Sequence, residues 1–286
     1  MIDKNKNIVD GKALAEELKK DLKREVETLQ KPLRLAVIFI GASPASGSFI
    51  KRKQAFGKAI GVEVNIFKPD AEIYMSRAKL RFYLADIVHE KANTGIIIQL
   101  PLPDELSSRT QYFLDSIVPE KDVDVLSSHA YGKFAMGQFV IQPPLVGTVE
   151  VILKQYSIDL RRKNIVMIGA GGKLVGRPIC NWFLSQDLAF DAIMKDVSPE
   201  DFREKVKRAD VIISGVGKAG LVSADMVKDG VVALDAGTSG TSGELKGDLD
   251  PEIAKKALLF TPVPGGIGPL TVAMLFKNLI TLAKQK

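Results

Sequence analysis

Apolar and polar positions alternate between two spacings along the first part of the chain. Residues 11–30 carry leucine or valine every three to four positions, which predicts an amphipathic helix. The run LAVIFI at 35–40 is apolar throughout and ends at Gly41, which predicts a buried strand. The same two patterns predict helices at about 46–60 and 75–91 and strands at 62–67 and 95–100. This strand–helix order predicts a parallel sheet covered on both faces.

The pattern changes between residues 119 and 146. That segment contains several glycines and prolines, including Pro143 and Pro144, and shows no sustained periodicity, so it predicts a crossover between domains. Beyond it, the predicted helices are 147–156, 174–186 and 268–284, and the predicted strands are 164–168, 190–194, 211–214, 231–235 and 258–261.

The sequence therefore predicts a two-lobed α/β fold with a cleft between the lobes. The first lobe is an N-terminal α/β domain of residues 1–122, completed by the C-terminal helix 268–286. The second lobe is a Rossmann-like domain of residues 145–265.

Composition narrows the classes of function. With 46% hydrophobic and 26% charged residues, the chain is predicted to be folded rather than disordered. The single cysteine, Cys180, excludes an internal disulfide, and the two histidines, His89 and His129, make a dedicated metal site unexpected. The net charge of +6 is mild and suits anionic small molecules, and no basic run interleaved with aromatics suggests nucleic acid.

The N-terminus lacks the apolar core of a signal peptide, and no stretch approaches the length of a membrane span. The expectation is a cytoplasmic protein that does not contact a membrane.

The second lobe opens with a glycine-rich turn. Strand NIVMI is followed by GAGGKLVG at 169–176 and then by a predicted helix. Glycines at such a turn let backbone amides approach a pyrophosphate, whose charge the helix N-terminus favours. The match to G-x-G-x-x-G is imperfect, because Gly176 comes two positions late. An acid after the next strand would hold the adenosine ribose; Asp196 is the better candidate and Asp191 the poorer, although either could be an ordinary loop acid.

Three features of the first lobe are candidates for chemistry. Phe49 and Lys53 share a helical face, so the ring could stack on a heterocycle while the amine transfers protons. Gln99 ends a buried strand, where open α/β sheets gather ligands, and Asp124 could face the same cleft. Each has an ordinary structural alternative: a solvated lysine beside a core phenylalanine, a hydrogen-bonded glutamine and a capping aspartate.

A further cluster, TPVPGGIGPLT at 261–271, precedes the last helix. Its prolines and glycines fix a rigid turn that exposes the backbone, which favours the close approach of a planar ligand.

Taken together, these residues resemble the bifunctional methylenetetrahydrofolate dehydrogenase/methenyltetrahydrofolate cyclohydrolase family. The resemblance runs from VDGKALAEEL near the start to the terminal helix. Its most specific stretches are IGASPASGSFIKRK (40–53), GIIIQLPLP (95–103), PEKDVD (119–124), GVGKAG (215–220) and TPVPGGIGPLTVAML (261–275).

The resemblance implies an enzyme of one-carbon metabolism, in tetrahydrofolate interconversion and purine biosynthesis. A reduced folate binds in the cleft against the first lobe, and a nicotinamide dinucleotide, usually NADP, binds the second. Hydride passes from 5,10-methylenetetrahydrofolate to the nicotinamide, and the methenyl product is hydrolysed to 10-formyltetrahydrofolate. The family also implies a homodimer formed through the second lobe.

The family's functional residues map onto this chain position by position. The catalytic set is Lys53, Gln99, Asp124 and Phe49. The folate-binding set comprises those four with Leu100, Pro101, Pro264, Gly265 and Gly266, the last three from the PVPGG turn. The cofactor-binding set is Gly169, Ala170, Gly171, Gly172, Lys173, Val175, Gly176, Lys195, Asp196, Gly215, Val216, Gly217, Gly237 and Thr238. In these roles Gln99 orients Lys53 by accepting its hydrogen bond, and Asp124 binds the donor-rich pterin edge.

The chain departs from the family pattern inside the site. Phe49 replaces a tyrosine, so it keeps a stacking surface without a hydroxyl, and Val125 replaces a glycine. Gly237-Thr238-Ser239 stands for Gly-Ile-Asn, and Lys173 is an extra residue in the nucleotide loop. Asp196-Val197-Ser198-Pro199 stands for His-Ser-x-Thr. An acid at 196 would repel a 2′-phosphate and favour NAD, whereas Lys195 or Lys173 would offset that repulsion and retain NADP.

Three functions stay open on the sequence. The first is the bifunctional enzyme. The second is a dehydrogenase with weak or no cyclohydrolase activity, because Phe49 cannot help to activate water. The third is a folate- or nucleotide-binding protein without catalysis, which the retention of Lys53 argues against.

Overall fold

The computed structural model describes residues 7–41, 44–239 and 245–285. Residues 42 and 43 of the stretch 40–53, the first six residues of the range 1–122 and Lys286 of the range 268–286 lie outside it. The chain divides into two compact units. One comprises Glu16–Pro144 with Val272–Lys286, and the other comprises Met1–Ala15 with Leu145–Thr271.

The unit built on Glu16–Pro144 contains a three-stranded parallel sheet. Its strands are β1 (Arg34–Ile38), β2 (Glu63–Phe67) and β3 (Gly95–Ile98), in the order β2-β1-β3. Its helical segments are α1 (Gly11–Leu29, shared with the other unit), α2 (Pro44–Ile60), α3 (Ala71–Tyr74), α4 (Arg77–His89), α5 (Asp104–Ser107), α6 (Thr110–Leu114) and α7 (Ser128–Ala135). Every residue of β3 is buried, as expected for a parallel strand covered on both faces.

The helix predicted at 75–91 is present, and the description of residues 119–146 is corrected. The helix is α4 (Arg77–His89), which begins after Ser76, whose side chain accepts a hydrogen bond from the amide of Lys79. The crossover at 119–146 is not irregular throughout, since it contains a 3-10 turn at Pro119–Lys121 and α7. Short elements of this kind carry too few apolar positions to show a period.

The other unit contains a five-stranded parallel sheet in the order β5-β4-β6-β7-β8. Its strands are β4 (Ile165–Ile168), β5 (Asp191–Ile193), β6 (Val211–Ser214), β7 (Val232–Asp235) and β8 (Leu259–Phe260), and its helices are α8 (Pro144–Gln155), α9 (Gly176–Ser185), α10 (Pro199–Arg208) and the start of α11 (Ile267–Lys284). The strand order reverses between β4 and β6, which is the switch point where such sheets bind ligands beyond their carboxyl ends.

The last helix corrects the expectation that no stretch reaches the length of a membrane span. α11 has the length and apolar composition of one, but 61% of it is buried in the structure. The core helix of a soluble protein has the same properties.

Candidate active site

Lys53 and Gln99 form the centre of a polar cluster in the unit built on Glu16–Pro144. Lys53 lies on α2, and its Nζ donates a hydrogen bond of 2.8 Å to Oε1 of Gln99, so the predicted contact is present. Gln99 directly follows β3 and is 9% exposed. Its backbone amide donates to the carbonyl oxygen of Ile38, and its Nε2 donates to that of Leu100. The strand end therefore fixes the glutamine, and the glutamine fixes the lysine.

Lys53 and Asp124 perturb each other's ionisation. Desolvation by burial lowers the pKa of Lys53, and the charge of Asp124 partly opposes that effect. Desolvation likewise raises the pKa of Asp124, opposed by the charge of Lys53. A lysine whose pKa is lowered holds a fraction of free amine closer to neutral pH, which is what proton transfer requires.

The turn that carries Asp124 is held by groups that the sequence analysis did not single out. The buried carboxylate of Asp122 accepts hydrogen bonds from the amides of Leu126 (3.1 Å) and Ser127 (2.7 Å). Desolvation raises the pKa of Asp122 to about 6. Asn278 on α11 donates to the carbonyl oxygen of Val123 at 2.9 Å. Asp122 and Asn278 are single polar residues, and no apolar repeat or motif in the sequence indicates that they hold this turn.

Val125 adopts a conformation that suits glycine. Its φ is 57°, and its side chain is fully buried. A β-branched residue in this left-handed region is strained. The replacement of the family's glycine by Val125 therefore has a local conformational cost next to Asp124.

The remaining folate-binding candidates lie on α2, in the segment after β3 and in the other compact unit. Phe49 precedes Lys53 by one turn of α2, and its ring lies 5.8 Å from the guanidinium carbon of Arg52. Leu100 and Pro101 follow Gln99, and the peptide bond between them is cis. Pro264, Gly265 and Gly266 belong to the other compact unit, where they follow β8 and a second cis bond joins Val263 to Pro264.

In the unit built on Leu145–Thr271, the predicted nucleotide loop joins β4 to α9. A Cβ atom at Gly176 would lie 2.1 Å from the carbonyl oxygen of Gly169, so only glycine lets the helix start this close to the strand. Within the described chain, the amides of Gly171, Lys173 and Leu174 donate no hydrogen bond. Helix α9 has no side-chain cap at its N-terminus. Free amides at an uncapped helix start suit the pyrophosphate of a dinucleotide.

A second loop, residues 215–218 after β6, packs against the first across the switch point. A Cβ atom at Gly215 would lie 2.2 Å from the side chain of Val175, and one at Gly169 would lie 2.9 Å from that of Val216. The predicted cofactor residues Gly169, Val175, Gly215 and Val216 are therefore brought together.

The other cofactor candidates end neighbouring strands. Lys195 and Asp196 follow β5 and are exposed. Asp191 is engaged instead with Arg208, whose Nη2 lies 2.7 Å from its carboxylate, which leaves Asp196 as the exposed acid after β5. Gly237 and exposed Thr238 follow β7.

Comparisons with known proteins agree with this organisation. A model of the tetrahydrofolate dehydrogenase/cyclohydrolase catalytic domain matches residues 9–124, and a model of the NAD(P)-binding domain of the same family matches residues 144–286. The bifunctional protein FolD of Nautilia profundicola is 37% identical over 97% of both chains.

Solved structures give the same result. The bifunctional FolD enzyme of Campylobacter jejuni is 34% identical, with a TM-score of 0.90 over 97% of this chain and 98% of that one. The Trypanosoma brucei dehydrogenase–cyclohydrolase, solved with NADP and an inhibitor, is 27% identical with a TM-score of 0.90 over 97% of both chains. The resemblance read from the sequence is confirmed: the chain belongs to the tetrahydrofolate dehydrogenase/cyclohydrolase family and is a two-domain α/β enzyme with an NAD(P)-binding domain.

Proposed function

We propose that this enzyme oxidises 5,10-methylenetetrahydrofolate with NADP and hydrolyses the methenyl product to 10-formyltetrahydrofolate. The observation that carries the proposal is the hydrogen bond from Lys53 to Gln99, together with the lowered pKa of that lysine beside Asp124. Bound NADP supplies a hydride acceptor at the nicotinamide ring. Lys53, Gln99, Asp124 and Phe49 of this chain bind and orient the folate and transfer protons.

In hydrolysis, water adds to the cationic bridge carbon of the methenyl folate and loses a proton. Lys53 as free amine accepts that proton and returns one to the folate nitrogen that leaves the carbon; the overall reaction releases one proton. Gln99 holds Nζ of Lys53 in place through the 2.8 Å hydrogen bond. Asp124 binds the donor-rich edge of the pterin, and the Phe49 ring stacks on its face.

In this proposal each of the two units binds one of the two substrates. Residues 1–122 with 268–286 bind the folate, assisted by the turn at Pro264–Gly266, and residues 145–265 bind the dinucleotide. The free amides of Gly171, Lys173 and Leu174 fit a pyrophosphate. The positive charges of Lys173 and Lys195 favour a 2′-phosphate against the repulsion of Asp196, which supports NADP over NAD. We further propose a cytoplasmic homodimer formed through the nucleotide-binding unit.

Substitution of Lys53 by methionine tests the proposal. Lys53→Met removes the amine and keeps an apolar stem, so methenyl hydrolysis is expected to fall to the spontaneous rate while NADP still binds. Lys58→Met, an exposed position on the same helix, is the matched control and is expected to hydrolyse like the wild type. Hydrolysis by Lys53→Met at the wild-type rate would contradict the role given to Lys53.

Phe49 supports a second candidate function, a dehydrogenase with little cyclohydrolase activity. Its ring lacks the hydroxyl that could assist water, and hydride transfer does not need that hydroxyl. The two candidates differ in one rate: the second predicts that purified protein hydrolyses methenyltetrahydrofolate no faster than buffer does.

A further inference from the structure

A buried aspartate outside the candidate folate and dinucleotide sites lies beneath the loop at 215–218. Asp248 is 0% exposed. Its Oδ2 accepts hydrogen bonds from the Ser214 hydroxyl (2.7 Å) and the Val216 amide (2.7 Å). Its Oδ1 accepts from the amides of Gly217 (2.9 Å) and Lys218 (2.7 Å). One carboxylate thus binds the end of β6 and three consecutive amides of the loop.

These contacts determine which hydrogen-bonding groups of the loop are available to a ligand. The amide of Gly215 donates to the carbonyl oxygen of Ile168, so the four amides of residues 215–218 are all used within the protein. The loop therefore has no amide left for a phosphate. Within the described chain, the carbonyl oxygens of Val216 and Gly217 accept no backbone hydrogen bond. The adjoining loop after β4 offers donors instead, because the amides of Gly171, Lys173 and Leu174 donate no hydrogen bond within the described chain.

We propose that Asp248 is a positioning residue for the dinucleotide. It holds the amides of residues 216–218 inward, so this loop presents carbonyl oxygens to the hydrogen-bond donors of the nicotinamide nucleoside, its ribose hydroxyls and carboxamide NH₂. The pyrophosphate is left to the amides of the loop after β4. This inference rests on the proposed use of NADP.

Residues at the end of β7 also constrain the position of Asp248. A Cβ atom at Gly237 would lie 2.1 Å from Cγ of Asp248, so the glycine after β7 leaves room for the carboxylate. The amide of Asp248 donates to Oδ1 of Asp235 at the end of β7 (3.2 Å). Asp235 also accepts from the amides of Gly237 and Leu249. Gly237 thus has a packing role whether or not it contacts the cofactor.

Asp248→Asn is the discriminating variant. Each carboxylate oxygen accepts two hydrogen bonds, so either orientation of the asparagine places its NH₂ against two donors. The KM for NADP is expected to rise at least tenfold. Methenyl hydrolysis by the same preparation uses no nucleotide and is expected to stay within twofold of the wild type.

A matched control separates positioning from general stability. Ile253→Ala truncates a side chain in the apolar core of the same unit, outside the loop. It is expected to lower the unfolding temperature and leave the KM for NADP within twofold. An unchanged KM in Asp248→Asn, or an equal rise in Ile253→Ala, would overturn the proposal.

Hydrogen exchange on the wild-type enzyme provides a second test that needs no variant. Amides 216–218 are expected to be protected without NADP and to gain no protection when it is added. Amides 171, 173 and 174 are expected to become protected only with NADP. Added protection at 216–218 would overturn the inference, whereas failure of the wild type to bind NADP at all would instead refute the proposed function.

Discussion

The contact between Lys53 and Gln99 permits a quantitative prediction for Gln99→Met. Methionine keeps the length of the side chain and removes the acceptor that lies 2.8 Å from Nζ. An acceptor of this kind favours the charged ammonium, so its loss lowers the pKa of Lys53 further below its usual value. A hydrogen bond to a charged group contributes about 1.5–3 kcal/mol, and one pKa unit corresponds to about 1.4 kcal/mol, so we expect a decrease of about 1–2 units.

The pH dependence of methenyl hydrolysis measures that decrease. If the free amine of Lys53 is the base, the rate declines as pH falls through its pKa, and this acidic limb should move about 1–2 pH units lower in Gln99→Met. The spontaneous rate is subtracted at each pH. Gln111→Met is the control, because the Gln111 amide donates to Asp115 and to the carbonyl oxygen of Leu126 instead. An acidic limb at the same pH in Gln99→Met and the wild type would refute the assignment of the base.

Three further predictions concern the surroundings of this pair. At Val125, where φ is 57°, glycine relieves about 1–2 kcal/mol of backbone strain, while its usual destabilisation relative to alanine is about 0.5–1 kcal/mol, so Val125→Gly should be more stable to denaturant than Val125→Ala. Buried Val123 has no positive φ, so Val123→Gly should be less stable than Val123→Ala. The same order of stability at both positions would contradict the strain at Val125. Phe49→Tyr should raise methenyl hydrolysis by adding a hydroxyl, and an unchanged rate would show that the missing hydroxyl does not limit this step. The pKa of Asp122 is about 6 in the folded protein against 3.8 ordinarily, so the folded state binds the extra proton and the contribution of Asp122 to stability falls by up to about 3 kcal/mol as pH rises from about 4 to 6. Asp122→Asn keeps an acceptor for both amides and should lack that part of the pH dependence in urea unfolding; an unchanged slope would show that the raised pKa is wrong.

Much of the fold could be predicted because its strands are uninterrupted apolar runs. LAVIFI and GIIIQL gave β1 and β3, and the glycines after NIVMI placed the nucleotide loop at the start of α9. Spatial strand order was not available in the same way, because neighbouring strands such as β4 and β6 are separated by β5 in sequence. The short helix α3 was not predicted, because four residues carry too few apolar positions to show a helical period.

The candidate site residues were predicted mainly from the family resemblance. Taken alone, Lys53 and Asp124 could be ordinary solvated or capping residues and Gln99 a hydrogen-bonded glutamine, so it was the resemblance that linked the three as candidates. Asp248 did not stand out, because nothing in the stretch KGDLD indicates that the carboxylate is buried beneath a loop thirty residues earlier in the chain. Asp248 reaches the loop after β6 because β6 and β7 are neighbours in the sheet, and no local sequence pattern indicates that pairing.

The central claim is that one protein performs both steps on the same folate. The most direct test follows cofactor reduction, methenyltetrahydrofolate and 10-formyltetrahydrofolate together after purified protein is mixed with 5,10-methylenetetrahydrofolate and either NADP or NAD. We expect NADP to be reduced faster than NAD, and the formyl product to appear faster than spontaneous hydrolysis allows. Reduction of neither nucleotide would contradict the account at its first step, and methenyltetrahydrofolate that accumulates and decays only at the spontaneous rate would contradict it at the second.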